Sequence, residues 1–237
     1  MLPFIQAYAM WANIPLLTAA AVPSIAFRAG YSDGANASSY TFAGCDIGAA
    51  PPAGETREVF VAVGWYQGGS ASRTLSSVTI GGIAATLETP FNNGVLQALC
   101  VARAVVPTGT TADIALTFSN TVQSCNLAAY RVMNRPSAAA GASDTGSATF
   151  SAATSVGVAG MDVGAGGFIL SAVAWGNTVS APALSGLGAG SDAFLTPEAT
   201  GYVAFGSAPL QASASTGNTL TWTWTTSRSG FAAAWAF

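Results

Sequence analysis

The chain has 237 residues, of which 51% are hydrophobic and only 7% are charged, and its net charge is −3. This length allows one large β-sandwich or two small ones with a sizeable core. Every basic residue is arginine, and histidine does not occur. The composition argues against nucleic-acid binding, which requires a basic surface, and it excludes catalysis or metal binding through histidine.

The first 27 residues contain no charged side chain, and three prolines interrupt them. These prolines are unfavourable for a membrane-spanning helix. The alternative is a signal peptide or membrane anchor, because Ala19-Ala20-Ala21 has the small residues of a cleavage site. We predict instead that residues 1–23 form an extended apolar arm that docks on another protein, not on a membrane. Its large side chains are expected to make this contact: Phe4, Ile5, Tyr8, Trp11, Ile14, Leu16 and Leu17.

The remainder of the chain alternates between β-type runs and Gly-, Pro- and Asn-rich turn sequences. The predicted strands are 24–29, 39–45, 58–66, 75–80, 84–88, 95–106, 112–118, 126–133, 148–153, 167–175, 183–187, 202–205, 219–225 and 230–237. Residues 59–65 are apolar on both faces, so this strand is expected to be covered on both sides. The pattern predicts an all-β protein, with an antiparallel and jelly-roll-like β-sandwich.

Three segments of the chain recur in the same order at offsets of 105 to 110 residues. The pairs are Ser39-Tyr-Thr-Phe42 with Ser147-Ala-Thr-Phe150, Phe60-Val-Ala-Val-Gly-Trp65 with Leu170-Ser-Ala-Val-Ala-Trp175, and Leu127-Ala-Ala-Tyr-Arg-Val132 with Ala232-Ala-Ala-Trp-Ala-Phe237. An internal duplication is therefore predicted. Its repeats are residues 24–134 and 148–237, joined by a linker at 135–147. Trp65 should match Trp175, and Tyr130 should match Trp235.

Residues 219–225 alternate strictly between threonine and large apolar side chains. Leu220, Trp222 and Trp224 therefore share one face of a strand, and we predict that they fill the core. The alternative is that Trp222 and Trp224 form an exposed platform for a sugar ring, as in carbohydrate-binding modules.

Few other residues suggest chemistry. Most of the ten carboxylates fall in predicted turns, and Ser32-Asp33-Gly34 does not continue into a calcium loop. Cys45, Cys100 and Cys125 have no C-x-x-C spacing and are predicted to be buried thiols, with one disulfide as the alternative. We therefore expect no enzyme activity, no cofactor and no metal.

Two stretches carry a family resemblance. They are Ser76-Ser-Val-Thr-Ile-Gly-Gly-Ile-Ala-Ala-Thr86, and Ala104-Val-Val-Pro-Thr-Gly-Thr110 followed by Ala112-Asp-Ile-Ala-Leu-Thr-Phe118. Over about residues 55–133 the chain resembles the β-sandwich minor structural proteins of tailed bacteriophages and gene-transfer particles. The resemblance implies a location in the virion, as a head decoration, vertex spike or tail fibre component. It implies no catalytic residues.

The low charge also predicts association, because few like charges keep copies apart. We expect a symmetric homo-oligomer, first a trimer and next a pentamer, that binds other virion proteins and no nucleic acid. The alternative function is a carbohydrate- or receptor-binding module that uses exposed tryptophans.

Overall fold

The computed structural model describes residues 22–69, 72–94, 96–136, 140–177, 179–180, 182–195 and 202–237. Every regular element within these ranges is a β-strand, and every strand pair is antiparallel. This confirms the all-β prediction. The jelly-roll detail stays a prediction.

The first half of the chain is a two-sheet sandwich. Its described strands are β1 (Ser24–Asp33), β2 (Ala37–Asp46), β3 (Arg57–Tyr66), β4 (Leu75–Ile80), β5 (Ile83–Ala84), β6 (Thr86–Leu87), β7 (Phe91–Asn92), β8 (Gln97–Val105), β9 (Thr111–Val122) and β10 (Ser124–Met133). Inner sheet 1 has the order β1-β10-β3-β8, with β6 and β7 beside β8, and outer sheet 1 has the order β2-β9-β4-β5. Their shared core contains Val59, Val61, Val63 and Trp65 from β3.

The second half is a single sheet that bends over itself. Its described strands are β11 (Asp144–Val163), β12 (Ile169–Trp175), β13 (Ala183–Ser185), β14 (Gly190–Leu195), β15 (Tyr202–Ala208) and β16 (Ser215–Ala236). The end of β16 pairs with β12, whereas its residues 221–223 pair with β13. The bend is at Gly230, where a Cβ atom would lie 2.0 Å from the carbonyl oxygen of Ala174. Inner sheet 2 consists of the start of β11, the end of β16, β12, β15 and β14. It faces outer sheet 2, which consists of β13, the part of β11 after the bend and the part of β16 before it.

The two halves repeat the same strand order. The inner-sheet order β1-β10-β3-β8 recurs as β11-β16-β12-β15. The register also recurs, because Phe60 lies opposite Tyr130 in the first half and Leu170 lies opposite Trp235 in the second. Trp65 and Trp175 likewise occupy matching positions on β3 and β12. The predicted matches of Trp65 with Trp175 and of Tyr130 with Trp235 are thus confirmed.

One of the three predicted segment pairs is wrong. Phe42 lies on β2 in outer sheet 1, whereas Phe150 lies on β11 opposite Gly230. By register, the counterpart of Phe150 is Asp33, which lies opposite Cys125. The reason is that β11 joins into one strand the two parts that β1 and β2 form separately. A short S-x-T-F match cannot distinguish these parts.

A third core joins the two sandwiches through their inner sheets. It contains Phe60, Leu99, Val101, Tyr130, Val132, Phe168, Leu170, Val203, Phe205, Phe231 and Trp235. The contacts are reciprocal. Trp235 of the second half donates a hydrogen bond to Thr89 O in the first (2.9 Å), and its counterpart Tyr130 lies beside Asp192 of the second. The chain is therefore a four-layer stack, and β3 is covered on both sides as expected.

Candidate functional site

Trp222 and Trp224 are core residues. Their exposed fractions are 0% and 5%. Trp222 Nε1 donates to Ser171 Oγ (2.9 Å), Trp224 Nε1 donates to Ala153 O (3.0 Å), and the Trp224 ring packs edge-on against Trp175. The core prediction is confirmed. The alternative, in which these two rings form an exposed sugar platform, is wrong because both side chains are buried.

The arm residues predicted to form a docking contact lie outside the described residues. They are Phe4, Ile5, Tyr8, Trp11, Ile14, Leu16 and Leu17. Their role stays a prediction.

Four buried charges meet where the linker joins the first half. We term Glu58, Glu88, Arg103 and Arg135 the junction cluster. Arg103 contacts Glu58 (Nη1 to Oε1, 3.0 Å) and Glu88 (Nε to Oε1, 2.6 Å), and Arg135 contacts Glu58 (Nε to Oε2, 2.6 Å). All four residues are at most 9% exposed. Buried charges of this kind require pairing, because desolvating an isolated charge is costly.

The junction cluster also holds the segment that leads into the second half. Glu88 Oε2 accepts from Ala142 N (3.0 Å), and Arg135 Nη2 donates to Ala140 O (2.8 Å). The Arg135 guanidinium carbon lies 5.5 Å from the centre of the Phe60 ring. Each oxygen of both carboxylates accepts a hydrogen bond from a group of the protein itself. The cluster is structural, and no spacing in the sequence indicates it.

A third buried arginine, Arg57, fixes the loop after β8. Its guanidinium donates to four carbonyl oxygens, those of Gly48, Val106, Thr108 and Gly109, at 2.6–2.9 Å. The charged guanidinium of Arg57 thus holds the Pro107-Thr108-Gly109 turn from the interior by donating hydrogen bonds to its carbonyl groups.

Asp192 is a carboxylate at the contact between the halves. It lies on β14 and accepts a hydrogen bond from Ser207 Oγ (2.7 Å). Burial raises the pKa of Asp192 above its ordinary value of 3.8. Burial, followed by the nearby Asp192 carboxylate, raises the pKa of Tyr130 well above 10.0. The Tyr130 hydroxyl makes no hydrogen bond of normal geometry to any described residue, although Asp192 is near.

Asp192→Asn should change the pH dependence of stability. Because the folded state binds the Asp192 proton more tightly than the unfolded chain, charging this carboxylate costs stability, and the cost disappears as pH falls through the folded pKa. We expect Asp192→Asn to gain stability relative to the wild type at neutral pH. This gain should shrink as pH approaches 3.8, the ordinary Asp pKa. Urea unfolding of the wild type and of Asp192→Asn, from neutral pH down to pH 3.8, measures this difference in stability. A gain that is constant or grows on acidification would contradict the prediction.

The three cysteines are buried free thiols, as predicted. Burial raises the pKa of Cys45 to about 11 and that of Cys100 to about 12, and it also raises the pKa of Cys125. Protonated thiols are poor nucleophiles. These side chains therefore contribute packing.

Within the described ranges, no three His, Cys, Asp or Glu side chains gather as metal ligands. In the same part of the chain, no helix is long and apolar enough to cross a membrane.

Two clefts open at the contact between the halves, one at each end of β12. A cleft of about 280 Å³ lies beside Arg135, Gly167 and Phe237. A larger one, of about 450 Å³, lies beside Gln97, Gly176 and Arg228, and we term it the amide cleft. The sequence predicted neither, because their walls come from both halves.

No protein-family model and no curated protein matches this chain.

Proposed function

We propose that the protein is a non-enzymatic structural component of a virus particle, as a head decoration, vertex spike or tail fibre subunit. Residues 1–23 would attach it to capsid or tail proteins. The observation that carries the proposal is the scarcity of charge on both outer sheets. The strands of outer sheet 1 contain two charged residues, Asp46 and Asp113, and those of outer sheet 2 contain two, Asp162 and Arg228.

The exposed sides of these strands consist of small hydroxyl and methyl groups. On outer sheet 1 they include Ser39, Thr41, Ser77 and Thr117, and on outer sheet 2 Ser155, Ala183, Ser185, Thr219 and Thr223. Losing water from such a surface costs less than desolvating charges, and the centres of protein interfaces are depleted of charged residues. These faces therefore suit permanent contacts within a symmetric homo-oligomer, a trimer first and a pentamer next.

The family-like segments support the same assignment. The first forms the β4–β5 hairpin, in which Gly81 and Gly82 make a two-residue turn with φ of 60° and 77°. The second includes β9, which pairs with β4. The resemblance to phage minor structural proteins thus rests on two neighbouring strands of outer sheet 1.

Placing an arginine on an outer face tests the proposal. Thr117 and Thr223 are exposed and lie on the central strands of outer sheets 1 and 2, and each is replaced by arginine. Burying an unpaired charge in an interface costs several kcal/mol. At least one variant should therefore lower the oligomer population roughly tenfold or more in native mass measurements. It should equally lower occupancy on particles that lack the protein. Ala53→Arg, which adds the same charge in an exposed turn, is the control and should assemble normally.

A chain without residues 1–23 completes this experiment. It should fold, because the three cores lie within residues 40–237, and it should fail to bind the particles. The prediction of a homo-oligomer is overturned if the wild-type protein is a stable monomer at micromolar concentration. Undiminished occupancy of both arginine variants and the shortened chain would overturn the virion assignment.

A further inference from the structure

We infer that the amide cleft is a binding site for a saccharide. The cleft lies between the β7–β8 turn of the first half and the bends of β11 and β16 in the second. Its volume of about 450 Å³ is in the range of small-ligand sites. The inference does not depend on whether the protein belongs to a virion.

The strongest indication is a buried donor without a partner. Gln97 is 2% exposed, and its Nε2 has no hydrogen-bond partner among the described residues. Leaving such a group unpaired costs about 1–3 kcal/mol, so a buried orphan donor calls for a bound acceptor. Gln97 lines the cleft together with Gly176, and its Nε2 lies 3.8 Å from the position that a Cβ on Gly176 would occupy.

Asn93 holds this donor in place. Its Nδ2 donates to Gln97 Oε1 (3.0 Å), and its Oδ1 accepts from Gln97 N (2.8 Å). Both polar ends of the Asn93 side chain are therefore used to fix the neighbouring amide. The oxygen of Gln97 is occupied, and its nitrogen is left for a ligand.

The opposite wall is also built for polar contacts. Ala152, at the bend of β11, has a φ of 50° and donates its N–H to Ser229 Oγ (3.2 Å). Ser229 and the exposed Asn177 line the cleft with hydroxyl and amide groups, and Arg228 adds a positive charge.

The lining chemistry favours a sugar over other ligands. Amides and hydroxyls both donate and accept, as ring hydroxyls do. Leu96, which is 40% exposed, offers an apolar surface for the C–H face of a pyranose. None of the described lining residues is a carboxylate, so a cation would find no counter-charge. A polyphosphate would find one arginine among them.

The test uses the full chain and four sugars: galactose, rhamnose, N-acetylglucosamine and glucuronic acid. Saturation-transfer NMR should detect binding of at least one of them to the wild type. Gln97→Met removes the buried donor at nearly constant length. Gly176→Ala places a methyl over it, with no other described atom within 4 Å and no left-handed φ. Each should weaken binding about three- to tenfold, as expected for losing one neutral hydrogen bond.

Gln211→Met is the matched control. Gln211 lies near Gly167, at the opposite end of β12, and its Nε2 already donates to Pro209 O (2.6 Å) and Leu187 O (3.3 Å). This variant should bind the sugar as the wild type does. The inference is overturned if none of the four sugars binds, or if a peptide mixture binds in their place. It is also overturned if a bound sugar has equal affinity for the wild type and both cleft variants.

Discussion

Replacing Glu58 by glutamine is expected to lower the free energy of unfolding by about 3–5 kcal/mol. Glu58 is 2% exposed and accepts three hydrogen bonds, one from Arg103 and two from Arg135. Without the Glu58 charge, Arg135 loses its ion pair with Glu58, and the junction cluster keeps one carboxylate, that of Glu88, for two buried guanidinium groups. The loss would be a large part of a stability that is 5–15 kcal/mol in typical proteins.

The ion pair between Arg28 and Asp46 supplies the control. Its Nη2–Oδ2 distance is 2.7 Å, as short as those of the junction cluster, but its side chains are 31% and 42% exposed. Asp46→Asn should therefore cost about 1 kcal/mol or less. Urea unfolding of the two variants and the wild type provides the comparison. Equal effects of Glu58→Gln and Asp46→Asn would show that burial of the junction cluster does not matter.

Trp235→Ala is expected to destabilise the whole chain, by about 3–5 kcal/mol. Trp235 is fully buried in the third core, and its ring lies against Phe91 of the first half (centroids 5.6 Å apart). Truncation opens a cavity between the inner sheets and leaves Thr89 O without its indole donor. Because both halves line this cavity, they should unfold together in one transition.

Hydrogen exchange can distinguish destabilisation of both halves together from destabilisation of the second half alone. In Trp235→Ala, amides of β3 and β10 in the first half should lose protection along with those of β12 and β16. Trp235→Phe keeps a ring and loses the hydrogen bond, so it should cost about 1–2 kcal/mol. If the first-half amides keep their protection in Trp235→Ala, the halves are independent and the third core is only a contact surface.

Local pattern was sufficient for the strands whose side chains alternate or are apolar throughout. The predicted strand 58–66 corresponds to β3 (Arg57–Tyr66), and the predicted strand 75–80 corresponds to β4 (Leu75–Ile80). The burial of Trp222 and Trp224 followed from their alternation with threonine. The location of these strands and the burial of these side chains depend on residues that are close together in the sequence, so the local pattern predicts them.

Strands rich in small residues were predicted poorly. β14 (Gly190–Leu195) was missed, and β11 was predicted only at 148–153 although it runs over Asp144–Val163. Their Gly, Ala and Ser residues have little strand preference of their own. Pairing with β15 and β16 provides the hydrogen bonds that hold them extended.

By itself, the sequence determined the all-β class, the equivalence of Trp65 with Trp175, and a β3 strand covered on both sides. Only the tertiary structure decided that the second half covers the face of β3 that points away from outer sheet 1. It also decided that Arg135 reaches Glu58 across 77 positions of sequence, and that Gln97 faces Gly176. Strand pairing brings such residues together through register and sheet stacking. Both join residues that lie far apart in the sequence, so they cannot be read from any one local segment.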